Sequence, residues 1–277
     1  MVPAEGGDSA ERRVLLCADK SGLGELARAW AGQCARELDV ALVRLPASVA
    51  TPVTTLTPAD PADLLIVGLG DRQGRVPHAA LDLVAAAPCL TVLMRNGGGN
   101  LPDLVTAAVS RDPSDEGVLA AAVDLAAMCH AQVRLLQSRP LPLRHSDTSE
   151  ERWAGRAVLK STRRQFLRLA PDWVPSTELV RLQAQEAVCH RYGDGLLVVG
   201  ARRTPHPGPG LVTRTALYYA RSSVAVARAS ASELRPRANP LPVPRRHDDM
   251  RSRVDCNAPS RRPAGIGESG AGQLFVT

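Results

Sequence analysis

Apolar residues recur along this chain with two spacings. Short uninterrupted runs bounded by turn residues alternate with stretches in which apolar positions fall four apart. Leu64-Leu65-Ile66-Val67 runs into Gly68, and Leu196-Leu197-Val198-Val199 runs into Gly200. Runs this short, flanked by polar turns, read as central parallel strands covered on both faces, and the spaced stretches read as helices. The pattern predicts a strand over 13–18 and then a helix over 25–38, whose Leu26, Trp30, Cys34 and Leu38 form one stripe. Strands over 40–45 and 64–67, a helix over 78–87 and a closing strand over 90–95 follow. The Pro/Thr/Ala-rich stretch 46–61 leaves room for a short strand over 53–56 and for no second long helix.

The same order then begins again. A strand over 105–110 leads to a helix opened by Asp112 and Pro113, a side-chain cap and a proline at the first helical position, with Val118, Ala122, Leu125 and Cys129 on one face. Next come a strand over 132–137, a long helix over 150–169 that sets Val158, Thr162, Phe166 and Leu169 on one face, and a strand over 179–182. A helix over 185–192, the strand 196–199, a helix over 212–219 and a strand over 223–228 complete the copy. Gly68 and Gly200 are 132 residues apart, too far for an array repeat, so the chain carries two copies of a domain. The expected fold class is α/β, with two tandem open parallel-sheet domains at 11–96 and 101–228. The first lacks one helix, and the Gly97-Gly98-Gly99 triplet joins the two.

Composition narrows the function classes. The chain has 277 residues and is 44% hydrophobic, enough for a core in each copy, while aromatics are only 3%, which suits helix-on-sheet packing and suits base-stacking platforms poorly. Of the net charge of +6, residues 229–277 supply +3, from eight Arg against five Asp plus Glu. Nucleic acid is therefore not an expected partner of the folded part. The segment 229–277 is proline-rich with no apolar periodicity and reads as a disordered tail. Its Pro-Leu-Pro-Val-Pro at 240–244 favours a polyproline II shape, as in ligands of SH3-like modules. The six cysteines are scattered with no C-x-x-C pair and read as small hydrophobes rather than a disulfide framework or a zinc site. His78, His130, His190 and His206 fall in different elements with no second His or Cys at i+3 or i+4, so no metal is expected. Nor does a Gly-x-Ser-x-Gly elbow or a Cys/His/Asp order point to a nucleophilic enzyme. No leader or membrane-length run is visible, and the expected location is cytoplasmic.

The element order, the doubled Leu-Leu-Ile/Val-Val-Gly and Ala87-Pro88-Cys89-Leu90-Thr91-Val92-Leu93 together resemble the universal stress protein family over residues 13–228. The resemblance implies a Rossmann-like fold for each copy. It also implies that the two copies pair through their closing strands, 90–94 and 224–227, as a pseudo-dimer within one chain. In nucleotide-binding members an Asp after the first strand sits near the ribose, and a Gly-x2-Gly-x9-Gly-Ser/Thr loop after the fourth strand wraps the phosphates. Glycine lets the backbone approach phosphate, and the hydroxyl and helix start supply donors.

Copy one keeps Asp19 but has Pro77-His78 in place of Gly-Ser/Thr. Copy two has Ser110 in place of the Asp, Arg203 in place of the second glycine, and Gly210-Leu211 in place of the final pair. The candidate cofactor residues are Asp19, Gly200, Gly208, Gly210 and Thr213, with Arg202 and Arg203 as candidate phosphate partners. For Asp19 the alternative is a cap on the next helix. Two functions stay open. One is a non-enzymatic stress-response regulator or scaffold whose nucleotide sites have decayed and whose partners are proteins the sequence does not name. The other is a switch that holds ATP or another adenine nucleotide in the second copy through Gly200, Gly210 and Thr213.

Overall fold

The structure, a computed structural model, describes residues 12–45, 64–70, 76–95, 101–110, 115–139, 148–190, 195–201 and 210–228. These hold β1 (Arg13–Ala18), α1 (Gly22–Leu38), β2 (Ala41–Leu45), β3 (Leu64–Gly68), α2 (His78–Ala86) and β4 (Leu90–Leu93). They continue with β5 (Leu104–Val109), α3 (Asp115–Cys129), β6 (Gln132–Ser138), α4 (Thr148–Leu169), β7 (Ser176–Val180), α5 (Ala184–His190), β8 (Leu196–Gly200), α6 (Leu211–Tyr219) and β9 (Ser223–Ala227). The strands form one sheet in the order β2-β1-β3-β4-β9-β8-β5-β6-β7. The strand expected over 53–56, the glycine joint at 97–99 and the tail from 229 lie outside the described residues.

The apolar runs become central strands because both of their faces are covered. Leu64 and Ile66 of β3 point into a core shared with α1, α3 and α4. Leu65 and Val67 point the other way, into a core shared with α2, α6 and Val188 of α5. Period-two alternation thus feeds two layers of helices. Of the two layers, the first is the larger. In α3 every residue but Glu116 is buried, which its many alanines permit by letting it lie close to the sheet between α1 and α4.

The repeat is visible at the level of single hydrogen bonds. Asp39 ends α1 and His130 follows α3, both at φ 53°, a left-handed residue closing a helix. Val40 N–H donates to Ala35 O at 3.0 Å, and Ala131 N–H donates to Ala126 O at 2.9 Å. Each residue of the second set lies 91 positions after its counterpart, the offset that also separates Val14 from Val105.

The two expected closing strands do pair. β4 and β9 run antiparallel with Thr91 opposite Val226, Val92 opposite Ala225 and Leu93 opposite Val224, while every other pairing among the described strands is parallel. The joint is reciprocal. Arg95, just past β4, donates through Nη2 to the Leu217 carbonyl on α6, and Arg228, just past β9, donates through Nη2 to the Val84 carbonyl on α2 at 3.2 Å. Arg228 follows Arg95 by 133 positions, and Leu217 follows Val84 by the same 133. Each half therefore offers the other the same contact, the logic of a two-fold interface. Burial pulls the Arg95 guanidinium pKa below its ordinary value.

Two element boundaries differ by three residues from the sequence reading, and the helix start expected at Asp112 and Pro113 lies outside the described residues. α1 starts at Gly22 rather than at 25, because Ser21 caps it: its hydroxyl accepts from Gly24 N–H at 3.2 Å. The glycines at 22 and 24 hide that start from a propensity reading. β7 occupies Ser176–Val180 rather than 179–182. An edge strand tolerates polar residues, so its first three positions carry no apolar signal. Among the described residues no helix is long and apolar enough to cross a membrane.

Candidate functional site

In an open α/β sheet, ligands collect beyond the carboxyl ends of the strands where the strand order reverses. This sheet has two such places, between β1 and β3 and between β5 and β8. They are built from matching segments, yet among the described residues one is bridged by hydrogen bonds and the other opens on a cavity.

At the first, the ladder between β1 and β3 runs to the last residues, with Ala18 opposite Gly68. Asp19 N–H then donates to Gly68 O at 3.2 Å. The Asp19 carboxylate closes the gap further: Oδ2 accepts from Gly70 N–H at 3.0 Å, and Oδ1 accepts from Ser21 N–H at 2.9 Å and from the Ser21 hydroxyl. Burial alone would raise the Asp19 pKa, but the bonds from Ser21 and Gly70 outweigh it and hold the group below its ordinary value. The cap reading of Asp19 is thus corrected. Ser21 caps the helix, and Asp19 positions Ser21 while tying β1 to the turn after β3. Glycine is required here by contact. A Cβ on Gly68 would lie 2.3 Å from Ala27 Cβ and 2.5 Å from Leu23 O, so the helix can approach the strand end only because position 68 has no side chain.

At the second place, the ladder between β5 and β8 stops at Ala107 opposite Val198, two residues short of Val109 and Gly200. Beyond that point lies a cavity of about 310 Å³, at the lower end of the ~300–1,000 Å³ typical of ligand sites. Its walls come from the ends of β5, β6 and β8 and from the starts of α3, α5 and α6, and they are mainly Ala, Val and Leu. Among the described lining residues, Asp115 is the one charged side chain.

The sequence candidates fall as follows. Gly200, Gly210 and Thr213 are brought together on the cavity wall. Asp19 belongs to the other switch point, and Gly208 with Arg202 and Arg203 lies outside the described residues. Gly210 precedes α6 with no side-chain cap, and a Cβ there would meet nothing within 4 Å. Thr213 is buried and donates its hydroxyl to the Gly200 carbonyl at 2.6 Å, so its proton is already committed. The helix-start amides of α6 are the backbone donors that face this end of the sheet.

One wall residue was not picked out from the sequence. Asp115, at the first position of α3, is buried and accepts from Ser110 N–H at 2.7 Å and from the Ser110 hydroxyl at 3.0 Å. It lies 91 residues after Gly24, so it stands where copy one has a glycine. The second half thus has a hydroxyl, Ser110, where the first has Asp19, and a carboxylate, Asp115, where the first has Gly24. A search confined to the strand end meets Ser110 and reads a lost acid; an acid at the first helical turn is the signal that locates it.

A doubly wound sheet with its switch points at the carboxyl edge defines a Rossmann-like protein, and comparison with solved structures narrows the class. No protein-family model matches the chain, and no curated protein matches it. A structure assigned to the universal stress proteins from Pseudomonas aeruginosa UCBPP-PA14 is 15% identical, with a TM-score of 0.52 over 79% of this chain and 94% of that one. A protein of unknown function from Pseudomonas aeruginosa PAO1 has the same identity and TM-score, over 79% and 93%. A universal stress protein from Archaeoglobus fulgidus DSM 4304 is 9% identical, with a TM-score of 0.51 over 79% and 88%. The chain has the universal stress protein fold.

Proposed function

We propose that the protein is a non-enzymatic regulatory or scaffold module of the universal stress protein kind, acting in the cytoplasm in a stress response. In this reading the first half serves as a structural partner for the second, and neither half holds adenine nucleotide tightly. The observation that carries it is the contrast between the two switch points. In the first, the acid that the resemblance assigns to a ribose is spent on Ser21 and Gly70. In the second, Leu211 stands where the family has a hydroxyl, the Thr213 hydroxyl is spent on Gly200 O, and a carboxylate stands in the wall.

A triphosphate needs donors. Losing two or three charge-assisted hydrogen bonds, at about 1.5–3 kcal/mol each, moves a micromolar site to millimolar or weaker. Calorimetry of the full chain with ATP is expected to show no saturation below about 1 mM, and a phosphate-release assay no turnover. The competing reading is a nucleotide switch built on Gly200, Gly210 and Thr213. It would be favoured by a micromolar dissociation constant that Gly210→Val abolishes.

A further inference from the structure

Charge is spread unevenly over the helices of the larger core layer. α1 carries two acids and two bases, and α3 carries three acids and no base. α4 carries six cations against two acids, and both acids, Glu150 and Glu151, stand in its first four residues. The apolar side of α4 is spent on the protein: Val158, Thr162 and Phe166 are buried, and the helix packs on α3, β6 and β7. Its opposite side faces solvent with Trp153, Arg156, Lys160, Arg163, Arg164 and Arg168, all exposed. Lys160 and Arg164 follow Trp153 by seven and eleven positions, so at about 3.6 residues per turn the three stand within about 40° of one line along the helix. Arg156 to Arg168 covers about 18 Å of that line. Among the described residues no carboxylate pairs with any of these five cations; the ion pairs belong to Arg28, His130 and Arg134.

The tryptophan narrows the partner. Trp153 is 76% exposed, while Trp30 and Trp173 are 5% and 6% exposed. A phosphate backbone alone would use the cations and leave the ring without a role, and a single ring is a poor platform for stacking successive bases. The surface of an anionic bilayer uses both: the cations meet charged headgroups, and an indole rests at headgroup level with its apolar body inward and its N–H toward water. We propose that the exposed face of α4 docks on the surface of a membrane rich in anionic lipid, with the cations on the headgroups and Trp153 at the interface. The core-facing side of the helix stays on the sheet, so the attachment is peripheral and weakens with salt. It is independent of what either switch point holds.

The test is flotation of the full chain with vesicles of phosphatidylcholine alone and with vesicles holding about 30 mol % phosphatidylserine, read together with tryptophan emission. The chain is expected to float with the anionic vesicles and not with the neutral ones, and to be released as salt rises from about 0.1 M to about 0.5 M. Because the other two tryptophans are buried, a blue shift of the emission on binding reports Trp153, and Trp153→Ser should abolish it. Lys160→Gln combined with Arg164→Gln, both at exposed positions, should weaken binding about 25-fold, about fivefold for each cation, with an unchanged unfolding midpoint. If that double variant does not fold, the salt dependence and the emission shift of the wild type decide. Absence of binding to the anionic vesicles overturns the proposal and leaves a solvated face. Binding that the double variant leaves unchanged, or binding without an emission shift, also overturns it, since the contact then lies elsewhere in the chain. Tighter binding to a duplex oligonucleotide at matched phosphate concentration would overturn it in favour of nucleic acid.

Discussion

The two halves of this molecule pose the same structural question at their switch points and answer it differently. After β1 the chain ties itself down: the ladder to β3 is complete, Asp19 bridges Ser21 and Gly70, and α1 presses onto Gly68. After β5 the ladder stops early and a cavity takes its place. The difference comes from a few positions. Copy one has Asp19 and Gly24 where copy two has Ser110 and Asp115, so the carboxylate reaches forward to a turn in one half and back to a strand end in the other. An open edge and a tied edge are thus alternative forms of one framework, and local hydrogen bonding decides between them.

The largest expected effect tests the closed edge. Gly68→Ala puts a Cβ against Ala27 and the Leu23 carbonyl, and backbone cannot yield as a flexible side chain can. Overpacking of this kind costs about 3 kcal/mol, read as a lower urea midpoint with an unchanged slope. A loss below about 0.5 kcal/mol would mean that α1 does not sit as tightly on β3 as its contacts indicate.

Where the edges differ, the joint between the halves is alike on both sides. Arg95→Ala and Arg228→Ala each remove a guanidinium from a helix-end carbonyl, Leu217 in one case and Val84 in the other. Each is expected to cost about 2 kcal/mol of unfolding free energy, since bonds from charged donors are worth about 1.5–3 kcal/mol. A loss from one variant and none from the other would break the two-fold description of the joint while leaving the β4 to β9 pairing in place.

This joint was legible in the sequence, and the state of the edges was not. The family resemblance pointed to the pairing of the closing runs 90–95 and 223–228, and both runs end in arginine and follow a helix of similar length, as a two-fold joint requires. The doubled Leu-Leu-Ile/Val-Val-Gly likewise marked the central strands, because burial on both faces leaves a continuous apolar run. The sealing of the first edge depends on Gly70 meeting Asp19 across 51 positions, and nothing local in Leu69-Gly70 announces it. Asp115 escaped for another reason: the offset of 91 sets it against Gly24, so nothing in the first copy marks that position for a carboxylate.

A smaller effect should appear with pH. The Asp19 pKa is lower in the folded protein than its ordinary value near 3.9, so its contribution to stability is present above that value and is lost as pH falls through the lower folded pKa. Asp19→Asn cannot bond as a carboxylate, so the variant should lack this part of the acid limb. Chemical denaturation from pH 7 to pH 2 is expected to show wild type more stable than the variant at neutral pH and the two converging at the acid end. Parallel curves would indicate that the Ser21 and Gly70 bonds do not favour the charged form.

The smallest expected effect belongs to the open edge. Gly210 stands at φ −60° and ψ 162°, a conformation that any residue adopts, and a Cβ there would point into space with no atom within 4 Å. Gly210→Ala should therefore change stability by less than about 0.5 kcal/mol, as surface changes away from special features do. Set beside Gly68→Ala, it asks whether the glycine that ends the loop is held by the fold or only by whatever occupies the cavity. A loss above about 1 kcal/mol without ligand would show that the second edge is also packed shut, and the contrast between the halves would disappear.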